Sequence, residues 1–319
     1  MNAFAYNTSS SIFLNAYEYQ ENECKYEELY HIPIENQDFV FLDSQSILSV
    51  GVNNLAIIDL QTQKNTFYNI ETGSHPHIQP ISSDLFAIIN KGKCCVYDIR
   101  EGCDTRCEFY HNSNILETSH EGSTIFIAGS EDISAHDVRN PRGPVLWSYS
   151  TNKEIPFCSF NIKEKFALCG NHIINLMNGK CVSKSDVYNP VCGSIYDNKI
   201  AIIGSERRSL LFYNYQKHEE VATFMFTEHE GIKSIDSSSM NGYVAVAADY
   251  NVKILKAPTE NEPNVSEVRN VLCGSIAQRK RGEIGPVKQV VFDGERLITN
   301  MGSFVRVYDF YTGKAFVKK

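Results

Sequence analysis

A chain of 319 residues with 42% apolar and 21% charged side chains has the composition expected of a soluble globular protein, not of a disordered or membrane one. A formal net charge of −8 argues against a broad phosphate-binding face, while leaving room for a local basic patch. No apolar run approaches the ~18–20 residues that span a bilayer as a helix, and the first twenty residues lack the charged and apolar regions of a signal peptide. The expectation is therefore an intracellular protein, cytoplasmic or nuclear, with its ten cysteines reduced.

Period-2 alternation and turn residues divide the chain into short strands. Ile12–Tyr19 and Lys25–His31 form a first pair, and Asp38–Leu42, Leu55–Leu60 and Asn65–Ile70 follow. Leu85–Ile89 turns through Asn90–Lys93 into Cys94–Ile99, with Thr105–Tyr110 as its outer neighbour. Ile125–Gly129 turns into Ile133–Val138, and the only tryptophan, Trp147, falls in the next outer strand. Lys165–Gly170 with Ile173–Met177 and Lys199–Gly204 with Ser209–Tyr215 repeat the hairpin, the latter followed by Lys217–Phe226. Tyr243–Ala248 with Val252–Leu255, and Val287–Phe292 followed by Arg296–Asn300 and Phe304–Phe310, complete the series.

The third strand of each unit ends on a recurring slot: Asp59, Asp98, Asp137, Asn175, Asn214, Lys256 and Asp309. The intervals are 39, 39, 38, 39, 42 and 53 residues. A mostly β unit of about 40 residues marks a propeller, in which small sheets packed face to face bury what none can bury alone. The expected fold class is all-β, a single propeller domain over residues 1–319. Seven slots predict seven blades, with Lys25–His31 closing the last one so that strands from both chain ends share a blade. Glu18 in an earlier slot leaves eight units open. The longest interval contains residues 257–286, expected to be a loop-bearing insertion between the last two blades. Within it, Val265–Leu272 is an outer strand and Cys273–Pro286 an exposed loop.

Gly129-Ser-Glu-Asp-Ile-Ser-Ala-His-Asp137 and Ala247-Ala-Asp-Tyr-Asn-Val-Lys-Ile-Leu255 resemble the second turn and third strand of WD-repeat propellers. His120-Glu-Gly122 and His229-Glu-Gly231 resemble the Gly-His step of that family, shifted and partly degenerate. No unit carries the Trp-Asp pair itself: Ile58, Tyr97, His136, Ile174, Tyr213, Leu255 and Tyr308 precede the slots. The resemblance implies a divergent member stabilised mainly by apolar packing.

Patterns for catalysis are absent: there is no phosphate-binding Gly-rich loop, no His-Glu-x-x-His and no Gly-x-Ser-x-Gly. No catalytic residue, cofactor site or metal site is assigned. His111, His120, His136, His172 and His229 are read as products of the repeat. Cys94 and Cys95 would point to opposite strand faces and so cannot share one metal with Cys103 and Cys107.

Two Asp-x-Arg tripeptides, Asp98-Ile-Arg100 and Asp137-Val-Arg139, occupy the same place in consecutive units. They resemble the docking feature of WD-repeat substrate receptors for cullin-RING ubiquitin ligases, which implies that Arg100 and Arg139 contact the ligase adaptor. The plainer alternative is an arginine bonded within its own or the adjacent blade. Arg279-Lys280-Arg281 is a second candidate partner site, for nuclear import or, in a ribonucleoprotein or ribosome-associated propeller, for nucleic acid. The expected role is that of a monomeric, non-enzymatic scaffold or adaptor that binds protein partners in a larger complex, with no membrane contact.

Overall fold

The computed structural model describes the chain except residues 1, 9, 21–22, 44, 63, 74–75, 112–113, 141, 228–230, 239–241, 260–261, 274–280, 282–284, 293–295, 302–304, 310–313 and 319. For residues 2–8, 16–20, 23–27, 309 and 314–318 it describes the backbone only. No α-helix occurs among the described residues. Among those residues the single helical turn is a 3-10 segment at Ile99–Glu101, and no helix is long and apolar enough to cross a membrane.

The described strands make up eight antiparallel sheets, each a meander in chain order. Two compact units divide them, Met1–Asn152 and Lys153–Lys319. The first unit holds a three-stranded sheet over residues 2–32 and four-stranded sheets over 38–68, 77–110 and 115–150. The second holds four-stranded sheets over 158–184, 190–225, 232–272 and 289–318. The seven four-stranded sheets correspond to the seven slots.

Among the described residues, strands from the two chain ends fall in separate sheets. Lys25–His31 lies within Glu23–Ile32, which pairs with Ser11–Gln20, and the last sheet takes all its strands from 289–318. A hairpin between segments adjacent in sequence closes a short loop and costs little chain entropy, whereas pairing across the whole chain costs more.

The middle strands are buried on both faces, as in Ile200–Ser205 and Tyr243–Ala248. Alternation then decides which neighbour a side chain meets. In the third sheet Phe86, Ile88, Cys95 and Tyr97 pack with Leu48, Val50 and Leu55 of the second. Ala87, Ile89, Cys94 and Val96 pack with Ile125 and Ile127 of the fourth. In the second unit Val244, Val246 and Leu255 face Ile202 and Phe212, while Ala245, Val252 and Ile254 face Val290 and Leu297. Outer strands such as Ser266–Leu272 stay largely exposed.

Polar links join first strands of consecutive sheets within a unit. The Ile78 N–H donates to Asp38 Oδ2 at 3.0 Å, Asn161 Nδ2 to the Ile195 carbonyl at 3.0 Å, and the Phe292 N–H to Asp236 Oδ2 at 2.7 Å. Burial pushes the Asp236 carboxyl up, partly offset by the Phe292 and Ser237 N–H bonds. Sheets approach closely at Gly193, where a Cβ would lie 2.7 Å from both the Ile202 carbonyl oxygen and Leu168 Cδ2.

Within residues 257–286, positions 260–261, 274–280 and 282–284 lie outside the described residues, and the described ones are tied down at several points. Ala257 is buried and Ser266–Leu272 is the expected outer strand. Cys273, expected in an exposed loop, is fully buried; its N–H donates to the Tyr250 carbonyl at 2.9 Å. The apolar Cys273 side chain extends the core of the last two sheets, which holds it in.

Candidate interaction surface

The recurring slot has one local job. Its side-chain oxygen accepts backbone N–H groups two or three residues on and so holds the turn between third and fourth strands. Asp59 Oδ1 takes the Gln61 and Thr62 N–H groups at 2.8 and 2.9 Å. Asn175 Oδ1 takes Met177 at 2.8 Å, and Asn214 Oδ1 takes Gln216 and Lys217 at 3.1 and 3.0 Å. Asp98 and Asp137 do the same for the Arg100 and Arg139 N–H groups at 3.0 and 2.9 Å. Lys256 has no oxygen to offer and pairs with Glu262 instead. Acid and amide interchange in the slot because both supply the acceptor. The Asp309 side chain lies outside the described residues.

At two slots a guanidinium is added. Arg100 Nε and Nη2 reach Asp98 Oδ1 and Oδ2 at 3.1 and 2.8 Å, and Arg139 reaches Asp137 in the same way at 3.1 and 2.9 Å. Each arginine thus folds back onto its own turn, as in the plainer alternative, while its side chain stays 63% and 70% exposed respectively. The arginine bonds hold each carboxyl down at about 2, and each guanidinium is pushed up in turn.

The two sites differ around the carboxylate. Asp98 is wholly buried and also receives Arg106 Nη1 at 3.1 Å. Arg100 Nη1 lies 3.8 Å from Asp84. Asp137 is 23% exposed and has Arg139 as its ion-pair partner, with a side-chain hydrogen bond from Ser123. Beyond Arg139, the residues Asn140, Arg142, Pro144, Val145 and Leu146 are exposed, the last two at 46% and 53%. Arg106 and Asp84 were not visible as part of this site in the sequence. Arg106 reaches Asp98 through the pairing of third and fourth strands, which carries a bulge between Val96 and Tyr97, and Asp84 reaches Arg100 because the next residue, Leu85, pairs with Asp98.

Of the basic cluster, Arg279 and Lys280 lie outside the described residues, and Arg281 is exposed. Arg207, in a turn of the second unit, stacks on Tyr188 at 4.1 Å.

The histidines do not share one position in the repeat. His120 is on a first strand, His136 and His172 are on third strands, and His111 follows a fourth strand; His229 lies outside the described residues. His111 joins a buried chain that sequence patterns did not reveal. Its Nδ1 is 3.3 Å from Asp132 Oδ1, its Nε2 is 2.9 Å from Ser134 Oγ, and Ser134 Oγ is 2.9 Å from His136 Nε2. The order Asp–His–Ser is that of a nucleophilic triad. Ser134, however, is 3% exposed and is bonded to imidazoles on both sides, so its oxygen is a structural joint. Burial, with His111 nearby, lowers His136 to about 4.

A groove of about 730 Å³ lies in the first unit, with Phe67, Tyr68, Lys93, Cys95 and Glu108 in its walls. Lys93 pairs with Glu108 at 2.8 Å and Tyr110 donates to Glu108 at 2.5 Å. Cys94 and Cys95 fall into different packing clusters, as their opposite strand faces require.

No family model matches the sequence, and no curated protein is significantly similar to it. Solved structures do resemble it. The C-terminal WD40 domain of Sif2 is 13% identical, with 94% of this chain and 90% of that chain covered and a TM-score of 0.75. Sqt1 of Saccharomyces cerevisiae is 12% identical, covering 88% and 84% with a TM-score of 0.69. The computationally designed Ika8 protein is 11% identical, covering 96% and 95% with a TM-score of 0.69. At such low identity the likeness speaks to architecture, and it agrees with the repeat and with the four-stranded meanders. The chain has the fold of a divergent WD-repeat β-propeller.

Proposed function

We propose that the chain is a non-enzymatic protein-interaction scaffold, residues 1–319 acting as one domain within a larger assembly. The observation that carries this reading is the exposed segment after Asp137. There exposed Arg139 and Arg142 precede solvent-facing Val145 and Leu146 in a connection whose first turn is held by Asp137. An exposed cation next to apolar surface on a fixed loop suits recognition of a protein with an acidic and apolar patch. The buried His–Ser–His chain and the paired Lys93–Glu108 groove offer no group poised for chemistry. Purification of the tagged native chain with Arg139→Ala/Leu146→Ala as comparison tests the reading. Loss of a stoichiometric protein partner from a folded variant supports it; unchanged recovery of every partner overturns it.

A narrower reading is a substrate receptor of a cullin-RING ubiquitin ligase. The matching exposed forks of Arg100 and Arg139 in consecutive sheets favour it, since a guanidinium held through Nε and one terminal nitrogen keeps further donors for a partner. Arg100→Ala/Arg139→Ala should then lose the ligase adaptor specifically. No adaptor recovered with the native chain removes this reading and leaves the broader one standing.

A further inference from the structure

In the second unit, Cys158–Asn161 and Phe166–Cys169 are antiparallel neighbours that place Cys158 directly opposite Cys169. Their Sγ atoms are 3.0 Å apart, and no disulfide joins them. One pair further along, the Gly170 N–H donates to the Phe157 carbonyl at 3.0 Å. Antiparallel pairs alternate between those that exchange backbone bonds and those that do not, so Cys158–Cys169 is of the second kind. Such pairs bring Cα atoms to about 4.5 Å and side chains closest together, within the roughly 4.4–6.8 Å that a disulfide spans. A contraction of about 1 Å between the sulfurs would reach the bonded distance of about 2.05 Å.

The two thiols differ in access. Cys158 is partly exposed, whereas Cys169 is completely buried. The other described cysteines lack this geometry in their strand pairings: Cys95 faces Glu108, Cys107 faces Val96 and Cys192 faces Gly204.

We propose that Cys158 and Cys169 are a reversible thiol–disulfide pair, oxidised by hydrogen peroxide. The Cys158 sulfur attacks the peroxide, the O–O bond breaks, and the products are Cys158 sulfenic acid and water. The Cys169 sulfur then attacks the sulfenic sulfur. An S–S bond forms, the S–OH bond breaks, and the hydroxyl leaves as a second water with the Cys169 proton. Each sulfur gives up one electron and the peroxide takes both; a dithiol reverses the change. In a reducing compartment disulfides of this kind are transient and sensory, and exposure selects the sulfur that reacts first.

The bond would fasten the first strand to the second beside the Gly170–Asn171 turn. Asn171 Nδ2 donates to the Val187 carbonyl at 2.8 Å and the Asn171 carbonyl accepts from the Ser185 N–H at 3.0 Å, so that turn anchors the connection into the sixth sheet.

The test treats the full chain with hydrogen peroxide, blocks remaining thiols and digests it without reduction for mass spectrometry. The expected product is a Cys158–Cys169 cross-link lighter by two hydrogens, reversed by dithiothreitol and absent from Cys158→Ser. In Cys169→Ser, Cys158 should persist as a dimedone-reactive sulfenic acid. The wild-type result decides the matter if either variant misfolds. A Cys158 sulfenic or sulfinic acid with Cys169 still alkylatable, or two intact thiols at a peroxide dose that oxidises free dithiothreitol, overturns the proposal.

Discussion

Arg139 closes a two-pronged pair on Asp137, Nε to Oδ1 at 3.1 Å and Nη2 to Oδ2 at 2.9 Å, on the turn whose backbone Asp137 already holds. The same pair at Asp98 is buried at its acid and reinforced by Arg106. Exposed ion pairs add little to stability, because water screens them and two long side chains must be ordered. Arg139→Ala should therefore leave the thermal midpoint almost unchanged and act on partner recovery alone. Asp98→Ala leaves two guanidinium groups without their acceptor and should lower the midpoint clearly. Differential scanning fluorimetry of the two variants checks the contrast.

The Asp132–His111–Ser134–His136 chain should make stability depend on pH. An unfolded histidine titrates near 6.5, while folded His136 titrates at about 4. Between these values the unfolded chain takes up a proton that the folded one refuses, so stability falls as pH drops from about 6.5 toward 4. The loss is at most about 3 kcal/mol, at 1.36 kcal/mol for each pKa unit. Urea titrations across that range should show the slope in the native chain and a shallower one in His136→Gln.

Lys253 is a buried cation that touches Glu267 at 3.0 Å and sits 5.7 and 5.5 Å from the Phe224 and Phe226 ring centroids. Removing one partner of a buried pair costs about 3–5 kcal/mol, whereas replacing the charge by an apolar side chain of similar volume is often neutral. Glu267 is one-third exposed, so water can take over part of its role. Glu267→Ala should accordingly cost about 1–3 kcal/mol, below the fully buried case. Lys253→Met should cost less than Glu267→Ala by equilibrium denaturation.

Gly193 has no room for a side chain between Ile202 and Leu168. Adding a methyl group to a packed site costs about 1–3 kcal/mol. Gly193→Ala should lower the unfolding free energy from urea titration by that amount, while Gly122→Ala meets no neighbour within 4 Å and loses only what its positive φ of 56° demands.

Strand positions were legible because hairpin turns and apolar runs are local. Leu85–Asn90, Tyr243–Ala248 and Arg296–Asn300 fall where alternation puts them. The pairing of Glu23–Ile32 was less legible, since its alternation fits either an early hairpin or the edge of the last sheet. The Arg100 and Arg139 positions were readable, but the direction of their forks was not, because a guanidinium can turn inward to its own acid or outward to a partner.

By itself, the sequence determined the repeat, the all-β class and the slot residue at the end of each third strand. All three follow from backbone chemistry within a few residues: alternation sets strands, and an acid or amide side chain sets the turn after them. Tertiary structure alone decided which groups meet across strands and sheets. It brought Arg106 to Asp98, His111 to Ser134 and Cys158 to Cys169, because each meeting depends on pairing or on packing between residues from 8 to 23 positions apart.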